Sequence, residues 1–214
     1  MDPVGSSVSA SASGPGATGG RSDRRIVLWD NLHANDYDQG RRIYLGPYNR
    51  SPSLLASPLL GGILINPNVQ YEANIPPLHT VAAYVRQADG YDPATAAAAA
   101  AAAWLTRLGA PLELADVELL VDLFWLPYSH GVRGEALVSL LKAVQVDPND
   151  AGRRARFIAA AAEVELLYER LTEITQREAC YALYQYMWDI KEELDLLQRH
   201  VDWLGRADGA GRRL

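Results

Sequence analysis

Two stretches carry side chains whose types and spacing suit recognition chemistry. Trp29–Tyr37 reads Trp-Asp-Asn-Leu-His-Ala-Asn-Asp-Tyr, and Asn66–Asn74 reads Asn-Pro-Asn-Val-Gln-Tyr-Glu-Ala-Asn. Each follows a short β-rich run, Ile26-Val27-Leu28 before the first and Gly62-Ile63-Leu64-Ile65 before the second. Where a strand of a β/α barrel ends, the residues just beyond its carboxyl end face the substrate. Aromatic faces cover the apolar side of a pyranose ring, and amides and carboxylates pair with vicinal hydroxyls. The dense set of amides, a carboxylate and aromatics in these two stretches therefore has the chemistry of a sugar pocket, half present. The same Asn and Asp residues also favour turns, which is the competing reading.

His33, Asp36 and Asp38 invite comparison with a metal site, but their spacing fits neither zinc nor calcium. No metal and no cofactor are expected. His79 and His130 read as structural residues of a helix and of a turn between helices, and His200 as facing solvent.

A family resemblance rests on the same residues. Val27-Leu28-Trp29-Asp30-Asn31, His33-Ala34-Asn35-Asp36-Tyr37-Asp38-Gln39 and Leu45-Gly46-Pro47-Tyr48 resemble the last part of the catalytic barrel of the O-GlcNAcase family. So do Asn66-Pro67-Asn68, Glu72-Ala73-Asn74, Asp122-Leu123-Phe124-Trp125-Leu126-Pro127-Tyr128 with His130-Gly131, and, further on, Tyr184, Tyr186, Trp188-Asp189-Ile190-Lys191 and Trp203-Leu204-Gly205. The resemblance implies a β-N-acetylglucosaminidase relative, a hydrolase that removes single N-acetylglucosamine groups from Ser and Thr of intracellular proteins. It implies that Asp36 accepts hydrogen bonds from the 4- and 6-hydroxyls of the sugar. Asn31 and Asn66 would be further polar contacts, Trp29 an aromatic wall, and Tyr37 a residue of the rim. It also implies substrate-assisted retaining hydrolysis, in which two adjacent aspartates steer the acetamido group and shuttle the proton. The sequence contains no Asp-Asp dipeptide, so no catalytic residue is assigned. General acid–base catalysis is worth roughly 10²–10⁴ in rate.

The elements that must position these residues follow from pattern. Ile26–Trp29 is a continuous apolar run of the kind found in parallel strands covered on both faces, and Gly61–Ile65 is the second strand. Ile43-Tyr44-Leu45 reads as a short extended piece, and Leu54–Leu60 has room for a helical turn. Pro76-Pro77 opens a helix with Leu78, Val81, Ala82 and Val85 on one face. Asp92-Pro93 is an N-cap and first-turn proline leading into the alanine run Ala96–Ala103. Further helices are expected over about Leu114–Trp125 and Gly134–Val146. Two longer ones follow. Phe157, Ala161, Val164, Tyr168 and Leu171 form the seam of the first, and Tyr184, Met187, Lys191, Leu194, Leu197, Val201 and Leu204 that of the second. Gly205 is the expected C′ residue.

This gives a mostly α fold: a two-strand C-terminal piece of a (β/α)8 barrel followed by an α-helical bundle stalk. The expected divisions are a disordered low-complexity tail over 1–25, the barrel piece over 26–90, the stalk over 91–205 and a disordered tail over 206–214. Two strands cannot close a barrel, so the barrel piece should be the less stable part.

Composition excludes other classes. The net charge of −6 over 214 residues, with Arg21, Arg24 and Arg25 as a solvated cluster, argues against nucleic acid as a partner. No run approaches the roughly 20 apolar residues of a membrane span, and no secretory signal opens the chain. A single cysteine, Cys180, rules out an internal disulfide and suits the cytoplasm or nucleus; it reads as a small core residue.

The leading expectation is an N-terminally truncated O-GlcNAcase-like chain, a genuine short product or an incomplete gene model, that keeps sugar-binding residues without the catalytic pair and is inactive alone. Its implied partners are O-GlcNAc-modified proteins or N-acetylglucosamine, and a second copy through the stalk. The alternative is a non-catalytic helical dimerisation or interaction module.

Overall fold

The computed structural model describes residues 24–37, 42–87 and 89–209, with side chains up to residue 206. Most of the N-terminal tail, Asp38, Gln39 and residues 210–214 lie outside the described residues.

Strands β1 (Ile26–Asp30) and β2 (Leu60–Ile65) pair in parallel, with Val27 opposite Gly62, Trp29 opposite Leu64 and Asp30 opposite Ile65. Six helices follow: α1 (Ile75–Arg86), α2 (Pro93–Leu108), α3 (Leu114–Leu123), α4 (Val132–Val146), α5 (Ala151–Glu173) and α6 (Arg177–Gly209). A two-strand parallel sheet joined to a helical bundle matches the expected class. The two-sided cover does not appear among the described residues: Ile26, Val27, Trp29 and Leu64 are each more than half exposed.

The helix starts are chemically determined. Asp92 Oδ2 accepts from Thr95 N at 2.7 Å and from Thr95 Oγ1 at 2.6 Å, with Pro93 in the first turn. Asp150 caps α5 through Arg153 N at 3.0 Å. At α3, Glu113 N donates to Asp116 Oδ2 at 2.8 Å in a reciprocal capping box.

The core lies among the helices, around fully buried Trp104, Leu108, Leu120, Phe157, Leu167 and Leu183. Helices α5 and α6 pack as an antiparallel pair, joined through buried Ile174. Their seams differ from expectation by one position each. Leu167 is fully buried where Tyr168 was expected to be, and Leu183 where Tyr184 was; Tyr184 is partly exposed and stacks on Trp188 at 6.2 Å. Tyr168 and Tyr184 instead turn toward each other at the edge of the seam, their rings 5.9 Å apart.

One helix face and two helix ends also differ from expectation. The inward face of α1 is Pro76, Pro77, Thr80 and Tyr84, while Leu78 and Val85 are exposed. Hydrogen bonds explain the reversal: Tyr48 N donates to Thr80 Oγ1 at 2.9 Å and Tyr84 Oη to Ser51 O at 2.7 Å. Polar tips are buried where their partners wait. Helix α3 ends at Leu123 rather than Trp125, because the carbonyls of Phe124 and Trp125 are taken by Leu45 N and Gly46 N, both at 2.6 Å. The extended piece at 43–45 finds its partners there rather than in a third strand. Helix α6 continues past Gly205 to Gly209, beyond the expected tail boundary at 206. Gly205 lies against the Arg154 guanidinium, which a Cβ would meet at 2.9 Å. The glycine admits a neighbour instead of ending the helix.

Candidate functional site

The carboxyl ends of β1 and β2 lie side by side, and the loops that leave them carry the residues singled out in the sequence. Asn66 N donates to Asp30 O at 2.9 Å, which continues the strand pairing one step into the loops. Beyond it, Asn31 Oδ1 accepts from Trp29 Nε1 at 2.8 Å and from Asn66 Nδ2 at 3.1 Å. Asn66 Nδ2 also reaches Asp36 Oδ1 at 3.5 Å. Trp29, Asn31, Asp36 and Asn66 are thus brought together in one bonded cluster. Trp29, Asn31 and Asp36 are exposed and Asn66 half-buried. Tyr37 follows Asp36 and is 61% exposed, so it stands at the margin rather than inside the cluster.

Beneath this rim runs a buried polar layer. Asp30, 2% exposed, accepts four hydrogen bonds: from Leu32 N at 3.0 Å, Tyr48 Oη at 2.8 Å, Arg50 Nε at 2.9 Å and Arg50 Nη2 at 2.8 Å. Burial raises the Asp30 pKa, but the Arg50 and Tyr48 bonds and the Arg50 charge outweigh it, and the carboxyl lies below its ordinary value. Burial beside this carboxylate pushes the Tyr48 hydroxyl far upward, so it remains a donor. His33 Nε2 donates to Gly46 O at 2.9 Å, which leaves Nδ1 unprotonated and buried. Desolvation lowers the His33 pKa to about 4. At neutral pH its ring is an uncharged strut.

The asparagines of this layer replace backbone partners. Asn68 Oδ1 accepts from Tyr44 N at 2.8 Å while its Nδ2 donates to Tyr44 O at 3.0 Å, as a neighbouring strand would. Asn74 holds Asn68 in turn, accepting from Asn68 N and donating to Asn68 O, both at 2.8 Å. Asn35, fully buried, accepts from Val69 N at 2.7 Å and donates to Gln70 Oε1 at 2.8 Å. Asp30, Asn35, Asn68 and Asn74 were not assigned roles from the sequence. The signal was their place inside Trp-Asp-Asn, Ala-Asn-Asp, Asn-Pro-Asn and Glu-Ala-Asn, beside the residues that were.

A cleft of about 670 Å³ opens next to the rim. Tyr37, Tyr44, Phe124, Trp125, Tyr128 and His130 are among the residues that line it. Tyr37 therefore connects the cluster to the turn between α3 and α4. His79 lies in α1 and His200 stacks on Trp203 in α6. Among the described residues no three His, Cys, Asp or Glu side chains stand together as metal ligands would. No described helix is long and apolar enough to cross a membrane.

Parts of this chain are similar to known proteins. The family described as beta-N-acetylglucosaminidase matches residues 12–115. Protein O-GlcNAcase of Rattus norvegicus and that of Mus musculus are each 52% identical to this chain over 64 residues, 29% of this chain and 7% of theirs. The chain thus spans only a small part of those relatives. Among solved structures, a mutant O-GlcNAc hydrolase of Thermobaculum terrenum superposes with a TM-score of 0.69 at 23% identity, over 87% of this chain and 40% of that one.

Proposed function

We propose that this chain, an O-GlcNAcase-like member of a glycoside hydrolase family, binds a terminal N-acetylglucosamine at the rim formed by Trp29, Asn31, Asp36 and Asn66. The observation that carries this reading is the shared hydrogen-bonding of Trp29, Asn31, Asp36 and Asn66 at the adjacent ends of two parallel strands. Asp36 accepts from the 4- and 6-hydroxyls, where charge-assisted bonds are roughly twice as strong as neutral ones. Asn31 and Asn66 supply further polar contacts, and the exposed face of Trp29 covers the apolar side of the ring. Tyr37 guards the entrance, and the cleft beside it receives the polypeptide that bears the sugar.

The chain's own residues stop at recognition. Substrate-assisted hydrolysis needs one carboxylate to orient the acetamide and a second to protonate the leaving oxygen, and no two aspartates are adjacent anywhere in the sequence. Asp30 is neutralised by Arg50 and enclosed, and Asp36 is already committed to hydroxyl binding. Titration with N-acetylglucosamine, followed by the side-chain amide resonances of Asn31 and Asn66, tests the reading. Binding is expected to weaken about tenfold or more in Asp36→Asn, the usual value of a hydrogen bond to a charged group. No turnover of an aryl N-acetylglucosaminide is expected. Equal binding by wild type and Asp36→Asn removes the proposed role of Asp36, and turnover by the chain alone removes its non-catalytic character.

A second reading, a helical module that pairs two copies, is favoured by the outer face of α6. Tyr181, Trp188, Leu196 and Trp203 recur there at steps of seven, eight and seven residues, and each is 40% exposed or more. Such spacing marks one stripe of a helix. Sedimentation equilibrium is expected to return a dimer that Trp188→Asp with Trp203→Asp converts to a monomer; a monomeric wild type sinks this reading. Cys180, the single cysteine, is buried in α6 and suits the reducing cytoplasm or nucleus.

A further inference from the structure

The rim rests on the helical bundle through a pair of side chains far apart in sequence. Gln70, in the loop after β2, accepts from Asn35 Nδ2 at 2.8 Å through Oε1 and donates from Nε2 to Tyr186 Oη of α6 at 2.6 Å. Both ends of one amide are therefore engaged, each in the only sense that its chemistry allows. On one side the bond fixes Asn35, which is fully buried and immediately precedes Asp36. On the other side Tyr186 is held by its ring, which meets Phe124 edge-on at 6.2 Å. The backbone of Gln70 is clamped as well, because its carbonyl accepts from Asn74 Nδ2 at 3.1 Å. A side chain held at both ends between two loops and a helix has little freedom to move unless one of them moves.

We propose that Gln70 and Tyr186 are positioning residues of the sugar rim: the bond between them lets helix α6 set where Asn35, and hence Asp36, stands. The inference rests on the rim being a sugar site, but the coupling itself is readable without any sugar. Loss of the Tyr186 hydroxyl frees the Gln70 amide to turn, Asn35 loses the fixed acceptor for its Nδ2, and its Oδ1 then no longer holds Val69 N in one place. The backbone amide of Val69 is accordingly the reporter.

The test compares Tyr186→Phe, Gln70→Met, Gln70→Glu and the control Tyr168→Phe in the full chain. Amide hydrogen exchange and N-acetylglucosamine titration are the two readouts. Tyr186→Phe and Gln70→Met are expected to speed Val69 exchange about tenfold, the usual weight of one hydrogen bond, and to weaken sugar binding by a similar factor. The amides of Leu183 and Met187 are expected to be unaffected. Gln70→Glu is expected to remain close to wild type, since its carboxylate still accepts from Asn35 and the Tyr186 hydroxyl can turn to donate. Tyr168→Phe, which removes a hydroxyl directed at Tyr184, is expected to leave Val69 unchanged. Val69 exchange unaltered in both Tyr186→Phe and Gln70→Met overturns the proposal. So does acceleration shared equally by Leu183 and Met187, or faster Val69 exchange with sugar affinity intact. If wild type binds no sugar, the sugar reading fails, and the exchange results alone decide the coupling.

Discussion

Replacing Asp30 by Asn is expected to destabilise the protein by about 3 kcal/mol, within the range for breaking a buried charged pair, and to lower its Tm by roughly 6–12 °C. The substitution keeps the volume and changes one thing: an acceptor becomes a donor. All four groups around Asp30 donate, namely Leu32 N, Tyr48 Oη and two nitrogens of Arg50. Whichever way the new amide turns, its NH2 confronts a donor, and a buried donor loses its partner. Arg50 is 44% exposed and regains water, which keeps the cost below that of stripping a fully enclosed pair. Tyr48 has no such recourse: its ring is fully buried against Tyr84 at 4.8 Å. Because Asp30 also anchors Leu32 N, the residue between them, Asn31, loses its fixed position, so sugar binding is expected to fall together with stability. Differential scanning calorimetry of the two proteins at neutral pH is the check; a Tm within about 2 °C of wild type would sink the account.

Acid adds a signature from the same layer. The folded pKa of Asp30 is depressed, so its contribution is present above the unfolded value near 3.8 and is lost as pH falls through the lower folded value. His33 acts earlier and in the same direction. Its folded pKa is about 4 against 6.5 unfolded, so between those values the unfolded chain takes up a proton that the folded ring refuses. Stability should therefore begin to fall below about pH 6.5 through His33, and Asp30 should carry the decline on below about 4, where the His33 contribution is complete. In Asp30→Asn the decline should level off there instead.

Why some of this was legible in the sequence and some was not follows from how far apart the interacting groups lie. Helices α2, α5 and α6 announce themselves through caps and steps of three and four, which are local signals. The parallel pairing of β1 and β2 follows from two apolar runs that end in matching polar loops. Trp29, Asn31, Asp36 and Asn66 could be singled out because the resemblance picked them from two stretches of suitable chemistry, and the structure brings the four together. The layer beneath was not. Asp30 meets Tyr48 and Arg50 across 18 and 20 residues, Asn68 meets Tyr44 across 24, and Gln70 meets Tyr186 across 116. No periodicity encodes such pairs. The inward face of α1 was misread for the same reason: hydropathy favours Leu78 and Val85, whereas Thr80 and Tyr84 turn inward because Tyr48 N and Ser51 O await them. Buried polar groups follow their partners, and the partners are visible only once the chain has folded.

Gly46→Ala is expected to be strongly destabilising, at about 3 kcal/mol or more, the upper end for overpacking combined with lost hydrogen bonds. A Cβ built on Gly46 would lie 2.4 Å from Trp125 O and 2.8 Å from Trp125 C. Those atoms are backbone, so no side chain can swing away to make room. The segment must instead withdraw from the end of α3. Withdrawal breaks the 2.6 Å bonds from Leu45 N to Phe124 O and from Gly46 N to Trp125 O. It also carries Gly46 O away from His33, whose Nε2 has that carbonyl as its acceptor and whose Nδ1 is already unpartnered. One methyl group thus separates the barrel loop from the helices and strands a buried imidazole. Gly62→Ala is the matched control: in β2 a Cβ at that position meets nothing within 4 Å, and alanine lowers the backbone entropy of the unfolded chain. Urea titration should show Gly62→Ala as stable as wild type or slightly more so, and Gly46→Ala with a midpoint shifted far down. Equal midpoints for the two variants would mean that the loop at 43–48 can leave α3 freely, and that the rim does not depend on the bundle for its support.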